Sequence, residues 1–221
     1  MIRFSVLLLS TVLLAACAST QPEPVSQDGL VLQDDTKFQE VYLLPEADFS
    51  VYESIGVGAC SVSFRKNWLR DQNNSRLDLS SRVTQKDVDS IKDALGDACS
   101  NHFSEALLMD PAYDIVDQFD NGEAVLIVRP AIINLDINAP DTMSPGLSRS
   151  YTTTAGEMTL ALELVDGTTG QVLARARDRR RSTDYGTLQW TSGVTNKADA
   201  DRTLKRWAGL LRAGLDEATG R

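Results

Sequence analysis

The sequence predicts an α+β fold, with a mostly antiparallel β-sheet of about five strands and two main helices packed on one face. Three observations support this prediction. Several segments alternate apolar and polar residues with the period of a strand, two segments repeat apolar residues at helical spacing, and tight-turn signals separate most of the strand-like segments. Because hairpin connections join neighbouring strands in antiparallel pairs, the sheet is expected to be mostly antiparallel.

The first seventeen residues are typical of an export signal. Arg3 precedes an apolar run, Phe4 to Leu14, that is too short to span a bilayer, since a spanning helix needs about 20 residues. The sequence Leu14-Ala15-Ala16-Cys17 resembles the bacterial lipobox. The resemblance implies that Cys17 is acylated and becomes the mature N-terminus. The alternative is an ordinary signal peptide with a cysteine nearby by chance.

We therefore predict three regions: a lipoprotein signal peptide over 1–16, an acylated cysteine with a flexible polar tether over 17–35, and a single periplasmic α+β domain over 36–221. Ala18, rather than Asp, follows the cysteine, which by similarity to Gram-negative sorting patterns implies the periplasmic face of the outer membrane. Apolar residues make up 42% of the chain and charged residues 24%, as in globular proteins. A net charge of −9 argues against general nucleic-acid binding.

The first half of the domain begins with Phe38–Leu44, a short edge strand or arm. Val51–Phe64 predicts the first clear strand, in which Gly56 and Gly58 indicate a bulge or a close backbone approach. The polar stretch Arg65–Ser81 is predicted to be a long loop.

A helix follows, with Thr84 as its N-cap and Asp87 in its first turn. Pro111 ends the pattern. The apolar residues at helical spacing are Val88, Ile91, Leu95, Cys99, Phe103 and Leu107.

The second half begins with a short strand over Tyr113–Phe119 and a hairpin turn at Asp120-Asn121-Gly122. Ala124–Ile137 is the most apolar strand, and Pro130 within it is expected at an edge or a bulge. Asn138–Arg149, which contains prolines and a glycine, is predicted to be a second long loop.

Two strands and a helix complete the chain. Met158 to Leu164 and Val172 to Ala176 alternate, and Asp166–Gly170 turns the chain between them. An amphipathic C-terminal helix is predicted from Leu204, Trp207, Ala208, Leu211 and Leu215.

Cys60 and Cys99 are an even pair in a chain predicted to reach an oxidising compartment. Both fall on apolar faces of elements that are expected to pack together, which favours a disulfide. In the chain-entropy model this bridge would stabilise the domain by about 3–4 kcal/mol. The alternative is two separate buried thiols.

Several stretches resemble a family of Gram-negative envelope lipoproteins that is catalogued as a domain of unknown function. They are Phe64 to Trp68, Arg129 to Ile132, Asn138 to Thr142, Tyr151 to Met158, and Gln189 to Thr191 leading to Trp207. The resemblance covers nearly the whole mature chain and implies one lipoprotein domain. It implies no activity, because the family offers no catalytic residues to transfer.

A stripe of arginines is unexpected in a chain this acidic. Arg175, Arg177, Arg179 and Arg181 recur at a period of two, so a strand presents all four on one face about 6.6–7 Å apart. One interpretation is docking to an anionic surface such as lipopolysaccharide phosphates, a peptidoglycan carboxylate or an acidic protein. The alternative is a solvated strand face partly neutralised by Glu157, or an edge protected against aggregation.

The two long loops suggest either a recognition rim or self-packed Ω-loops. The candidate rim residues are Arg70, Asp71, Asp141, Arg149 and Tyr151. The only histidine, His102, lies beside the apolar stripe of its helix and is predicted to be structural.

No catalytic, metal or cofactor signature is present. Asp117, Asp120, Asn121 and Glu123 have the spacing of a hairpin tip rather than of a calcium loop. Phosphate-binding glycine loops, zinc spacings and nucleophile elbows are missing, and acid pairs such as Glu157 with Asp184 arise easily in an acidic chain.

The sequence therefore predicts a lipid-anchored, non-enzymatic binding or scaffold module of the cell envelope. It would contact the membrane through its acyl chains, meet an envelope protein or anionic polymer, and use no cofactor. One alternative is an envelope-polymer hydrolase acting on glycan or peptidoglycan through paired carboxylates, one of which would need a raised pKa. A second alternative is a purely structural lipoprotein whose surface charges could be exchanged without consequence.

Overall fold

The computed structural model describes residues 22–74, 82–119, 124–137, 151–152, 156–181, 189–190 and 193–221. In chain order the elements are β1 (Val31–Leu32), β2 (Glu40–Leu43), β3 (Ser54–Val57), β4 (Ser61–Phe64), α1 (Trp68–Asn74), α2 (Gln85–Leu107), β5 (Asp114–Val116), β6 (Val125–Ile137), β7 (Tyr151–Thr152), β8 (Gly156–Asp166), β9 (Val172–Arg181), β10 (Gln189–Trp190) and α3 (Gly193–Thr219). None of the helices in these ranges combines the length and the apolar character needed to cross a bilayer.

The main sheet corrects the predicted fold. It has eight strands in the order β1-β2-β9-β8-β6-β3-β5, with β4 also paired to β6, while β7 and β10 form a separate pair. The strands from β1 to β6 in this order are antiparallel, but β3 and β4 run parallel to β6, and β5 runs parallel to β3. The prediction of about five mostly antiparallel strands with two helices is therefore wrong: the described chain has an eight-stranded mixed sheet and three helices.

The expected hairpin at Asp120-Asn121-Gly122 explains much of this error. β5 and β6 are both parallel to β3 and lie on either side of it, so they are not partners in a hairpin. Residues 120–123 themselves lie outside the described residues. An Asn-Gly pair favours a tight turn, but it does not determine whether the flanking strands pair with each other.

The single strand predicted over Val51–Phe64 is two strands, which pair in succession with β6. Between them, the Gly58 N–H donates a hydrogen bond of 2.9 Å to the Val128 carbonyl. Pro130 lies opposite this break, because the last β3 pair is Val57 with Val128 and the first β4 pair is Ser61 with Ala131. A proline without an N–H is therefore accommodated in a central strand.

The long loop predicted over Arg65–Ser81 contains α1. Trp68, which is 1% exposed, packs with Val83 and Val88, and its ring Nε1 donates to the Ile137 carbonyl at 3.2 Å. Trp68 thus anchors a helix in which Leu69 is the only other apolar residue, which is why the residue pattern alone did not reveal it.

The helix α2 agrees with its prediction. Thr84 and Asp87 form a reciprocal capping box, in which the Thr84 N–H donates to Asp87 Oδ2 at 2.8 Å and the Asp87 N–H donates to Thr84 Oγ1 at 3.3 Å. Cys60 and Cys99 form a disulfide that joins the β3–β4 connection to this helix, with 6.0 Å between their Cα atoms. Gly96 allows the close contact, since a Cβ there would lie 2.8 Å from the Cys60 carbonyl oxygen.

The helix α3 closes the core from the same side as α2. Trp207 is fully buried, and its Nε1 donates to Asp178 Oδ2 on β9 at 2.7 Å. Arg212 is also buried and donates from Nη1 and Nη2 to carbonyl oxygens at and beyond the C-terminal end of α2. These carbonyls belong to Ala106, Leu107, Met109 and Pro111.

The main hydrophobic core lies between the sheet and these two helices. Along β9, Ala174, Ala176 and Asp178 point into it, so the alternating residues point to the opposite side. We call this opposite side the distal face. It is formed by Glu157, Thr159, Ala161 and Glu163 of β8 and by the four stripe arginines of β9.

Part of the predicted tether is folded onto the domain. Leu30 is fully buried and β1 pairs with β2, and Leu30 and β1 lie within the range 17–35 that was assigned to the tether. We call residues 22–32 the N-terminal arm. The division at residue 35 and the signal peptide stay predictions.

Candidate functional site

The four arginines of the stripe stand on the distal face, each opposite a residue of β8. The pairs are Arg175 with Glu163, Arg177 with Ala161, Arg179 with Thr159, and Arg181 with Glu157. This arrangement follows from the period of two in the sequence.

Three of the four arginines are held by carboxylates. Arg179 contacts both oxygens of Glu157, at 2.8 and 2.7 Å, and Arg181 Nη2 lies 3.6 Å from the same carboxylate. Arg175 Nη2 bonds Asp28 Oδ2 at 2.8 Å and Glu163 Oε1 at 3.0 Å. These three therefore have a structural role in addition to any binding role.

The contact between Arg175 and Asp28 shifts the pKa of both groups. Hydrogen bonds from Ser26 and then Arg175 lower the pKa of Asp28 below its ordinary value of 3.8. The bond to Asp28, followed by that to Glu163, raises the pKa of Arg175. Both shifts favour the charged forms, so the ion pair persists at neutral pH.

Arg177 differs from its neighbours. It is exposed, and it faces Glu40 of β2 across the strand pair. Among the described residues, neither side chain has an ion pair. A guanidinium and a carboxylate thus stand side by side, with both groups available to a ligand.

These two residues line a surface groove of about 780 Å³. Tyr42, which pairs with Arg175 across the strands, contributes the aromatic part of the wall. The full lining is Pro22, Glu23, Ser26, Gln27, Asp28, Glu40, Tyr42, Arg175 and Arg177. The volume is in the range of small-molecule sites, although this groove is open to solvent.

The N-terminal arm builds one wall of the groove. The Tyr42 hydroxyl donates to the Glu23 carbonyl at 3.0 Å, and the Leu32 N–H donates to the Pro24 carbonyl at 2.9 Å. The salt bridge between Asp28 and Arg175 holds the turn of the arm against β9. The site therefore exists only when the arm is folded onto the sheet.

Part of this site could be foreseen from the sequence. The alternation of Arg175 and Arg177 marked one wall, and Glu40 and Tyr42 alternate along the predicted strand Phe38–Leu44. Asp28 could not be identified, because it lies in a polar segment whose composition suggested a tether.

The other sequence candidates are not brought into the groove. Asp71 of the first loop pairs with Arg65 at 2.7 Å and with Arg70 at 3.0 Å. Tyr151 lies in β7, where only the backbone is described. Cys17, Asp120, Asn121, Glu123, Asp141, Arg149 and Asp184 lie outside the described residues, and Asp117 is exposed after β5.

His102 lies between α2 and α3. Its Nε2 is 3.4 Å from Asp201 Oδ1, and its Nδ1 is 3.4 Å from Glu105 Oε2. The Asp201 contact links α2 to α3, whereas Glu105 is on the same helix as His102, and Nδ1 is buried without a hydrogen-bond partner among the described residues. Over the described ranges, no group of three or more His, Cys, Asp or Glu side chains is arranged to hold a metal ion.

Among the described residues, the carboxyl groups whose pKa is clearly shifted are stabilised in the charged form. They are Asp28, Asp48, Asp71, Asp87, Asp166 and Asp201, and in each the pKa is lowered by hydrogen bonds. A general acid for glycan hydrolysis needs the opposite shift.

The fold and this site define a class: an α+β domain with a mixed sheet, helices on one face and a charged groove on the other. The chain belongs to the family described as "Protein of unknown function (DUF3313)", whose model matches residues 26–211. The resemblance to a family catalogued as a domain of unknown function is thereby confirmed. No curated protein has significant sequence similarity to the chain.

Solved structures with a partial likeness include the PelC dodecamer from Paraburkholderia phytofirmans in two crystal forms. One is a variant with 12% identity, a TM-score of 0.39, and coverage of 78% of this chain and 95% of that chain. The other has 8% identity, a TM-score of 0.40, and coverage of 78% and 96%. A neuraminyllactose-binding hemagglutinin homolog from Helicobacter pylori has 8% identity, a TM-score of 0.30, and coverage of 77% and 84%. With TM-scores below 0.5, these likenesses carry no functional argument.

Proposed function

We propose that this protein is a lipid-anchored, non-enzymatic binding module of the cell envelope, held at the periplasmic face of the outer membrane through Cys17. The groove at Arg177 and Glu40 is its binding site. The observation that carries the proposal is the contrast within the stripe: three arginines are held by carboxylates, and Arg177 is exposed in a groove without an ion pair among the described residues.

The chemistry of the groove selects an anionic ligand with adjacent hydrogen-bond donors. A guanidinium binds carboxylate or phosphate through two parallel hydrogen bonds. Glu40, opposite Arg177, accepts hydrogen bonds from hydroxyl, amide or ammonium groups. An envelope polymer or an envelope protein segment carries both kinds of group, and the Tyr42 ring offers an apolar surface beside them.

The lipid anchor is proposed from the sequence Leu14-Ala15-Ala16-Cys17. Several acyl chains together hold a protein on a membrane, since each buried methylene contributes about 0.8 kcal/mol. The test is mass spectrometry of the N-terminal peptide from membrane fractions, with Cys17→Ser as the matched variant. Acyl mass on Cys17 and loss of membrane association in the variant are expected. An unmodified Cys17 in membrane-bound protein would contradict the anchor.

The binding role is tested by equilibrium binding of the mature protein to solubilised peptidoglycan fragments and to lipopolysaccharide. Arg177→Gln and Glu40→Gln each remove one free charge of the groove, and we expect about tenfold weaker binding, the loss of one charge-assisted contact. Arg206→Gln, at an exposed position of α3, is the matched control and should bind as the parent does. Equal binding by all variants would reject the groove as the site.

The hydrolase alternative has less support. It needs a carboxyl group with a raised pKa near a second carboxylate in a cleft. Glu157, which the sequence suggested for such a pair, is instead neutralised by two arginines. Release of soluble fragments from peptidoglycan during the binding assay would revive this alternative.

A further inference from the structure

The N-terminal arm limits how far the domain can stand from its anchor. Pro22 is already part of the groove lining, and only five peptide units separate it from Cys17. A fully extended chain spans at most about 3.6 Å per residue, so these units reach about 18 Å. This is much shorter than a free tether over residues 17–35 would allow.

The arm also fixes which side of the domain is near the anchor. The Glu23 carbonyl is bonded to Tyr42, and Asp28 is bonded to Arg175. Tyr42 and Arg175 are cross-strand partners that share one side of the sheet with the arginine stripe. The chain therefore leaves the domain beside the distal face, on the side away from α2 and α3.

The distribution of charge also favours the distal face as the side of the domain that lies near the membrane. The four stripe arginines and the five acidic residues of this face and its groove, Glu23, Asp28, Glu40, Glu157 and Glu163, together carry one net negative charge. The whole chain has a net charge of −9, so most of its acidic excess lies elsewhere. A bilayer with anionic headgroups repels the acidic remainder of the domain and attracts exposed arginines close to the membrane.

We infer that the distal face and the N-terminal arm lie against the headgroup layer of the bilayer that holds the anchor, with Arg177 directed at lipid phosphates. The inference rests on the proposed acylation of Cys17, and it replaces the envelope polymer or protein segment at the proposed site by the phosphate groups of membrane lipids. Phosphate groups of membrane lipids have the charge and the geometry that a free guanidinium binds through two hydrogen bonds. The α2 and α3 side then faces away from the membrane.

The test uses full-length protein isolated with its acyl chains, after the mass of the Cys17 peptide has been verified. A fluorophore is attached to a single introduced cysteine, since Cys60 and Cys99 are bonded to each other and Cys17 is blocked. Gln27→Cys places the label at the groove, and Arg206→Cys places it on the exposed surface of α3. The vesicles contain phosphatidylethanolamine and phosphatidylglycerol, with a quencher on the lipid headgroup.

Quenching should be several-fold stronger for the label at position 27 than for the label at position 206. Changing Arg177→Gln together with Arg179→Gln should reduce that ratio, and vesicles of phosphatidylcholine alone should reduce it as well. Equal quenching at the two positions, or a ratio that the arginine changes leave intact, would overturn the inference. A chain without acyl mass on Cys17 would instead reject the anchor, so the two failures are distinguishable.

Discussion

Charged residues have different roles on the two faces of β9. On the core side, Asp178 is 2% exposed and is bonded to Trp207 and Arg180, so its charge is part of the packing. On the distal side, Arg177 is exposed beside Glu40, and neither has an ion pair among the described residues. The difference separates charges that stabilise the fold from charges that are available to a ligand, although both occur on one strand.

The sharpest test of this contrast compares Trp207→Ala with Arg177→Ala. Removing a fully buried indole costs about 3–5 kcal/mol and leaves a buried carboxylate with one donor fewer. Removing an exposed arginine should change the free energy of unfolding by no more than about 0.5 kcal/mol. Chemical denaturation measures both. A comparable loss in the two variants would show that the distal charge is structural after all.

The disulfide allows a second comparison between the helix-covered side of the sheet, where it should affect stability, and the distal face, where it should not affect ligand binding. Replacing Cys60 and Cys99 together by Ala opens a loop with a sequence separation of 39, which costs about 3–4 kcal/mol in the chain-entropy model. Thermal unfolding with and without a reductant gives the measurement. The reductant should lower the melting temperature of the parent and leave that of the double variant unchanged. Ligand binding at the groove should survive in the folded variant, because the bridge is on the other side of the sheet.

Two helix glycines are expected to change the stability of the fold in opposite directions when each is replaced by alanine. At Gly96 an added methyl group meets the Cys60 carbonyl at 2.8 Å, so Gly96→Ala should destabilise by about 1–3 kcal/mol despite its better helix propensity. At Gly209 the new Cβ would meet no atom within 4 Å beyond its own stretch of helix, so Gly209→Ala should stabilise the fold by about 0.5–1 kcal/mol. Urea denaturation of both variants measures these changes in the free energy of unfolding. A stabilising effect of Gly96→Ala would mean that α2 can move away from the β3–β4 connection at little cost.

The smallest expected effect is the release of the arm by acid. The pKa of Asp28 is lowered by Ser26 and Arg175, so its contact is intact above pH 3.8 and is lost as the pH falls through the lowered pKa. For a surface pair, the contribution should be a few tenths of a kcal/mol. An NMR titration of Leu30 methyl and Arg175 Nε–H resonances follows the release. Asp28→Asn should abolish the transition, whereas Asp48→Asn, at another carboxyl with a lowered pKa, should retain it.

Local sequence patterns predicted many of the helices and strands. Thr84 as the N-cap, Asp87 in the first turn and the helical spacing after them predicted α2, and the alternation around the Asp166 turn predicted β8 and β9. Strand pairing could not be derived in the same way. Whether Tyr113–Phe119 pairs with the next strand or with β3 depends on contacts between distant residues, which a local turn signal does not encode.

The site was only half predictable for a related reason. A period of two identified the arginine stripe, but it could not tell Arg177 from Arg179, because the carboxylates that neutralise a charge come from other strands. Asp28 and Glu163, which hold Arg175, are far apart in the sequence. Arg177 has no ion pair among the described residues, whereas its three neighbours in the stripe pair with carboxylates. That pairing depends on the fold and cannot be read from the spacing of the arginines.

The contacts of Arg212 limit when the domain can complete its fold during synthesis or translocation. It bonds the Ala106 carbonyl across a sequence separation of 106, and Trp207 on the same helix fills the core beside β9. A polypeptide that emerges N-terminus first, from a ribosome or a translocation channel, cannot finish the end of α2 until its last helix has also emerged. Premature termination within α3 would therefore leave an open core for proteases to recognise.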